Sequence, residues 1–254
     1  MAKAYEIASF LDDLLKTSEI EDYSYNGLQV DSTGKVENIY GGVDATMEFF
    51  NKANLPRNSL YIVHHGIFWK NNDPRIINGN YSKINFLLSN NSSLYASHLP
   101  LDLNKTYGNN ISLLEFLGVE KDSIIPFGLY HGISIGFRGE FKNPVKIENI
   151  SKRLEAIAKN RVYTFPFGKQ EIKTIGVVSG GGSFASSEAV KLNLDLFLTG
   201  ETDHTLYTFA SDAKLSVIFA THYATETFGV KNLGNLLSQN FNINFTFIDL
   251  EPIF

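Results

Sequence analysis

The sequence contains no cysteine. That excludes disulfides, thiolate zinc sites, iron–sulfur clusters and thiol nucleophiles, fits a reducing compartment, and leaves any metal to His, Asp and Glu. No apolar run is long enough to span a membrane, and Asp12 and Asp13 interrupt what would have to be the apolar part of an N-terminal signal peptide. These absences predict a soluble, cytoplasmic protein. A basic cluster is missing as well. The 22 basic residues are scattered among 27 acidic ones for a formal charge of -5, which argues against nucleic acid as a partner.

What is present is enough chain for a substantial core. The 254 residues allow one large domain or two lobes of about 100–150 residues each. Twenty phenylalanines and twelve tyrosines in a chain only 19% charged predict a large aromatic core and buried contacts between subunits. Ala4, Ile7, Ala8, Leu11, Leu14 and Leu15 recur at helical spacing near the start. Asn26-Gly27 reads as a turn into a short strand, because glycine supplies positive φ at little cost. Val36 to Tyr40 reads as a strand, Gly41-Gly42-Val43-Asp44-Ala45-Thr46 as a glycine turn, and the residues to about Ala53 as a helix. Tight-turn geometry accounts for such a glycine pair more readily than phosphate binding, since the dinucleotide fingerprint GxGxxG is incomplete.

The second half repeats the pattern. Lys173 to Ser179 predicts a strand, Gly180-Gly181-Gly182-Ser183 a turn and Ser186 to Lys191 a helix, and two further strands end in polar residues. The expected fold class is therefore α/β, with two similar βα lobes (1–125 and 170–254) flanking a cleft and a small α/β segment (126–169) between them. Pro166-Phe167-Gly168 is the one plausible hinge, and it is too short for a flexible linker.

Chemistry concentrates where apolar runs end. Tyr61-Ile62-Val63 reads as a buried strand that runs into His64, His65 and Gly66. Successive strand side chains face opposite ways, so two adjacent histidines share one ion only if the strand has ended and the backbone bends; otherwise each faces its own ion. Ser93 to Ala96 is a similar run, followed by His98 and then by Pro100, expected to hold the chain extended so that Asp102 turns back at the strand end. Gly108-Asn109-Asn110 opens a helix whose N-terminus faces the same region. Further on, Thr199-Gly200-Glu201 ends one strand, and Thr221-His222-Tyr223-Ala224-Thr225-Glu226 ends another. If Thr221 caps a helix, His222 and Glu226 lie one turn apart on one face.

His64, His65, Asp102, His222 and Glu226 are thus the candidate metal ligands. Three imidazoles and two carboxylates are too few for two closed sites and enough for two open ones, as in two-metal hydrolases with ions roughly 3.5–4 Å apart. Mixed nitrogen and oxygen ligation disfavours calcium and magnesium and leaves two divalent transition-metal ions, Zn, Fe, Mn, Co or Ni, whose combined charge attracts an anionic or carbonyl-bearing substrate. His98 and Glu201 are neighbours that either orient a ligand or serve as acid–base groups, the candidate catalytic residues. His131 has no second ligand type beside it and is read as an ordinary histidine. Trp69, four residues beyond His65, either walls the site or packs, and packing is the usual role of a lone aromatic.

The strings NGLQV, GGVDAT, HHG, SHLPLDLN, GNN, TGE and HYATE, in this order, resemble the NIF-three-like family of dinuclear-metal proteins, members of which carry the name GTP cyclohydrolase I type 2. The large middle insertion of the longer members is absent. The resemblance implies a three-layer α/β fold, a hexameric toroid of this chain with itself, and a dimetal site whose ligands fall on His64, His65, Asp102, His222 and Glu226. The expected activity is metal-dependent hydrolysis of a nucleotide or other heterocycle through metal-bound hydroxide. The alternative is a ring-shaped, non-catalytic metal-binding scaffold, metal carrier or regulatory protein.

Overall fold

Short apolar runs bounded by polar turns build two sheets, seen in a computed structural model that describes residues 2–159 and 161–250. The chain is a mixed α/β protein that falls into two units. One takes the described residues through Leu101 and returns at Gly229; the other runs from Asp102 to Phe228. The chain therefore passes between units at 101–102 and 228–229. The expected hinge at 166–168 instead lies inside the second unit.

In the first unit the strands are β1 (Gly27–Val30), β2 (Asn38–Asp44), β3 (Ser59–His65), β4 (Ser93–Ala96) and β11 (Asn244–Phe247), in the order β1-β4-β3-β2-β11. β4, β3, β2 and β11 run parallel, and β1 is antiparallel at one edge. Parallel neighbours need crossovers, and helices α2 (Met47–Asn51) and α3 (Asn78–Ser89) supply them. Helix α1 (Ala4–Leu15) buries Ala4, Ile7, Ala8, Leu11 and Leu15, the stripe its spacing predicts, and stops where Lys16 turns left-handed at φ 56°. The core is aromatic: Phe49, Phe50 and Tyr61 are fully buried, with the Phe50 and Tyr61 rings edge to face at 5.1 Å.

Two local expectations give way here. Gly41 and Gly42 lie inside β2, not in a turn, so the reading of GGVDAT as a glycine turn is corrected. A Cβ on Gly42 would come within 2.6 Å of the Phe49 ring; the missing side chain lets that ring lie against the sheet. Pro100 likewise does not hold the chain extended. It sits in the first turn of a short helix, α4 (Leu99–Asp102), where a missing N–H is tolerated.

The second unit carries β5 (Ile125–Tyr130), β6 (Ile133–Lys146), β7 (Tyr163–Pro166), β8 (Glu171–Val178), β9 (Leu196–Thr199) and β10 (Ser216–Phe219), in the order β5-β6-β8-β9-β10-β7. β8, β9 and β10 form a parallel centre, flanked by antiparallel strands on both sides. Its helices are α5 (Asn109–Leu117), α6 (Ile147–Ala158), α7 (Ser186–Lys191), α8 (His204–Ala213) and α9 (His222–Thr225); α10 (Thr227–Phe241) carries the chain back into the first unit. Leu113, Leu114, Leu154, Ile172, Ile175, Leu196 and Ile218 fill its core. His131 stands in the β5–β6 turn at positive φ, edge to face with Tyr130.

Among the described residues no helix is long and apolar enough to cross a membrane.

Candidate metal centre

Strand register brings the donors of each unit to one sheet edge. In the first unit Asp44 pairs with His65 across β2 and β3, while Val63 pairs with Ala96 across β3 and β4. His64, His65 and the Ser97-His98 segment therefore follow one another at the carboxyl ends of adjacent parallel strands, where open α/β sheets place their chemistry. Although β3 runs through both histidines, their ring centroids are only 4.7 Å apart. His64, His65 and His98 each offer one ring nitrogen within a group whose donor atoms all lie within 4.8 Å of one another. The structure thus places His98 beside the adjacent pair and not behind it.

Each of the three imidazoles is held through its Nδ1. His64, fully buried, directs Nδ1 at the Ser97 carbonyl at 2.8 Å. His65 directs it at an Asp44 oxygen at 2.8 Å. His98 directs it at both oxygens of Asp22, at 3.0 and 3.1 Å. A ring nitrogen facing an acceptor carries the proton, which fixes the tautomer and leaves Nε2 as the nitrogen a metal would take. The three donors therefore have the chemistry that borderline divalent ions require.

Asp22 is the buried member of this set. Its side chain is 1% exposed, and it also accepts from Asn26 Nδ2 at 2.8 Å, Leu99 N at 3.0 Å and Ser24 N at 3.2 Å. Burial pushes the carboxyl upward, yet His98, Asn26 and the Leu99 amide together hold it down at about 2. Asn26 in turn accepts the His98 backbone N–H at 2.7 Å. Gln29 fixes the other side. Its oxygen accepts Ile67 N at 2.7 Å and Phe68 N at 3.3 Å, which sets the path of the chain leaving His65-Gly66.

In the second unit Val178, Thr199 and Phe219 are in register on β8, β9 and β10. Ser179-Gly180, Gly200-Glu201 and Thr221-His222 consequently leave the sheet at the same edge. Thr221, itself at φ 62°, caps α9 by accepting the Ala224 N–H at 3.1 Å. His222 Nε2 then lies 3.1 Å from Glu226 and its Nδ1 2.7 Å from Glu201. Burial disfavours the charged ring, but the Glu226 and Glu201 carboxylates outweigh it and raise the His222 pKa to about 9. Glu226 is 2% exposed, whereas the Glu201 side chain is 58% exposed.

Asp102 is 5% exposed and accepts from Asn109 Nδ2 at 2.8 Å and Ser179 Oγ at 3.1 Å. Asn110, fully buried, donates to the Asp102 carbonyl at 3.2 Å and accepts the Ser179 N–H at 2.6 Å. The asparagines of GNN thus act through side chains, where the sequence suggested helix N–H groups. Gly180 has φ +60°, and a Cβ there would collide with the Glu226 carboxylate and approach His222 Nε2 within 3.0 Å. That glycine is required both for its backbone and for the space.

Sequence reasoning singled out His64, His65, His98, Asp102, Glu201, His222 and Glu226 but passed over Asp22, Asn26, Gln29, Asp44 and Ser179. Asn26, Gln29 and Asp44 stand inside NGLQV and GGVDAT, so the strings were noticed and their side-chain work was not.

Imidazoles and carboxylates gathered at the carboxyl edges of parallel strands, in a mixed α/β chain, define a candidate metalloprotein without thiolate ligands. Comparison with known proteins shows the family. The chain belongs to the Duf34/NIF3 (NGG1p interacting factor 3) family, which it matches over residues 2–252. It is 44% identical over 246 residues to the GTP cyclohydrolase 1 type 2 homolog of Pyrococcus abyssi, covering 96% of each chain. Its identity to the protein of the same name from Archaeoglobus fulgidus is 36%, covering 96% of this chain and 97% of that one. Among solved structures it resembles TTHA1606 from Thermus thermophilus, with a TM-score of 0.87 and 30% identity over 99% of this chain and 100% of that one.

Proposed function

We propose that this chain is a dinuclear metal protein, with His64, His65, Asp102, His222 and Glu226 as ligands of two divalent transition-metal ions, and that it hydrolyses a nucleotide or related heterocycle. The observation that carries the reading is the group of three imidazoles whose donor atoms fall within 4.8 Å, each oriented through Nδ1. One buried and two half-buried imidazoles so aligned and backed by acceptors match what metal ligation asks of a protein. Asp102, His222 and Glu226 supply the oxygen-rich remainder. The names of the relatives, GTP cyclohydrolase 1 type 2 homolog, support a nucleotide-type substrate.

Bound metals would supply Lewis acidity toward a carbonyl or phosphoryl oxygen and make a coordinated water more acidic. The chain's own residues do the rest. Asp22 and Asp44 keep His98 and His65 in one tautomer, and Glu201 does the same for His222 when it is deprotonated. Glu201, the exposed carboxylate of that set, is placed to take up or return a proton at Oε1. His98, held by Asp22, is a sixth donor beside these five ligands, in place of an acid–base role. The family reading adds a three-layer arrangement, a cleft and a hexameric ring, for which light scattering in solution is the direct check.

The test is elemental analysis of protein purified without chelator, with a turnover screen on GTP and other nucleotides in the same sample. Near two transition-metal ions per chain with turnover is the expected result. Two ions without turnover would favour a metal carrier or scaffold. No metal after reconstitution would overturn the ligand set.

A further inference from the structure

Trp69 is the only tryptophan in the chain, and its surroundings are not those of a core aromatic. Ile67 and Phe68 pack with the aromatic core of the first unit, and among the described residues Trp69 is not part of that cluster. Its ring neighbours among the described residues are His98, at 5.1 Å and 71° between planes, and His65, at 6.0 Å and 47°. The indole is half-buried, and its N–H donates to the Gly66 carbonyl at 3.1 Å. That hydrogen bond fixes the plane of the ring.

A short strap holds the indole from behind. Ser24 forms an antiparallel bridge with Trp69, and the amides of Tyr25 and Lys70 bond to the carbonyls of Phe68 and Tyr23 at 3.1 and 2.8 Å. Asp22 and Asn26, at the two ends of this strap, are the residues that hold His98. One five-residue segment therefore positions both the histidine and the indole. Ser24 lies directly across from Trp69, so their side chains leave the pair on the same side. The Ser24 hydroxyl is buried and has no hydrogen-bond partner among the described residues.

A rigid indole at the rim of an imidazole cluster, with an unused hydroxyl on the same side, suits a planar ring that carries polar edge atoms. We infer that Trp69 is a specificity-determining residue that stacks the heterocyclic ring of the substrate, with Ser24 as the hydrogen-bonding group for a ring heteroatom. The inference rests on the metal-centre reading above and names the part of the substrate that this wall recognises. Sugar and phosphate groups have no π face to stack on it.

Because Trp69 is the sole tryptophan, fluorescence excited at the red edge of absorption, where tyrosine does not absorb, reports on it alone. The experiment titrates the metal-loaded full chain with guanosine 5′-monophosphate, and with ribose 5-phosphate as a ring-free control. Fluorescence is recorded alongside calorimetric affinity. The expected result is quenching by the nucleotide and none by ribose 5-phosphate. Trp69→Leu keeps apolar bulk without the indole and should weaken nucleotide binding about tenfold, the usual loss when a stacking partner is removed. Its ribose 5-phosphate affinity should not change, and Trp69→Phe should recover most of the nucleotide affinity. Metal content is measured on every sample. Wild-type protein that retains no metal would count against the metal-centre reading. Metal-replete protein whose tryptophan is blind to the nucleotide, or a Trp69→Leu variant that binds it as tightly as wild type, would overturn the role of Trp69 and leave the metal centre standing.

Discussion

The two units solve the same placement problem with opposite chemistry. Each carries its donors at the carboxyl edge of three parallel strands in register, β2, β3 and β4 in one and β8, β9 and β10 in the other. The first unit presents nitrogen. His64, His65 and His98 are its imidazole donors, and the carboxylates Asp22 and Asp44 stand behind two of them. In the second unit oxygen predominates, and its histidine lies between two carboxylates that keep it protonated without metal. Placement follows from sheet register, and the character of each donor from what lies behind it.

The sharpest way to break this comparison is to remove the groups behind the first unit's imidazoles. Asp22→Ala leaves His98 Nδ1, the Leu99 amide and Asn26 without their buried acceptor, and should cost about 3 kcal/mol of stability. Asp44 is 45% exposed, so Asp44→Ala should change stability by less than about 1 kcal/mol, with water taking over the vacated hydrogen bond. Both should weaken metal binding by about 10–100-fold, as losing a ligand's orienting carboxylate does. Urea denaturation and calorimetric metal titration separate the two effects. Equal destabilisation by both substitutions would show that burial of Asp22 is not what distinguishes the pair.

An intermediate effect is expected in the second unit from Gly180→Ala. The substitution forces a Cβ onto a left-handed backbone and against Glu226, which should cost about 2 kcal/mol and displace that carboxylate. Lower thermal stability together with lower metal retention is the expected outcome. A variant that binds metal normally would mean that the Gly180 turn does not set the Glu226 position.

These same positions show what could be read in the residues. The α/β class was legible because apolar runs alternate with helical periodicity over the whole chain, and the candidate donors stood out because they punctuate strand ends. Asp22 was not. Nothing near it in sequence forecasts that it meets His98, 76 positions away, since that contact depends on how segment 22–26 lies across β4's exit. The glycines misled in a different way. GG in β2 and GGG after β8 look alike, yet one admits the Phe49 ring into a sheet and the other makes a turn beside Glu226. Their difference lies in tertiary neighbours that a one-dimensional pattern does not contain.

Acidity and alkalinity should also separate the units in metal-free protein. The Asp22 pKa falls from 3.8 to about 2 on folding, so its stabilisation is present above pH 3.8 and is lost as pH drops through 2. That shift corresponds to about 2 kcal/mol. His222 behaves in the opposite sense. Its pKa rises from 6.5 to about 9, so its contribution is complete below pH 6.5 and disappears as pH climbs through 9. The His222 side chain is 37% exposed, and solvent screening should make its contribution the smaller of the two. Urea unfolding of the metal-free chain across pH 2–10 should show an acid loss that Asp22→Asn reduces and a weaker alkaline loss that His222→Gln reduces. An acid loss untouched by Asp22→Asn would place the acid-sensitive group elsewhere and remove Asp22 from its role as the buried anchor of the nitrogen-rich edge.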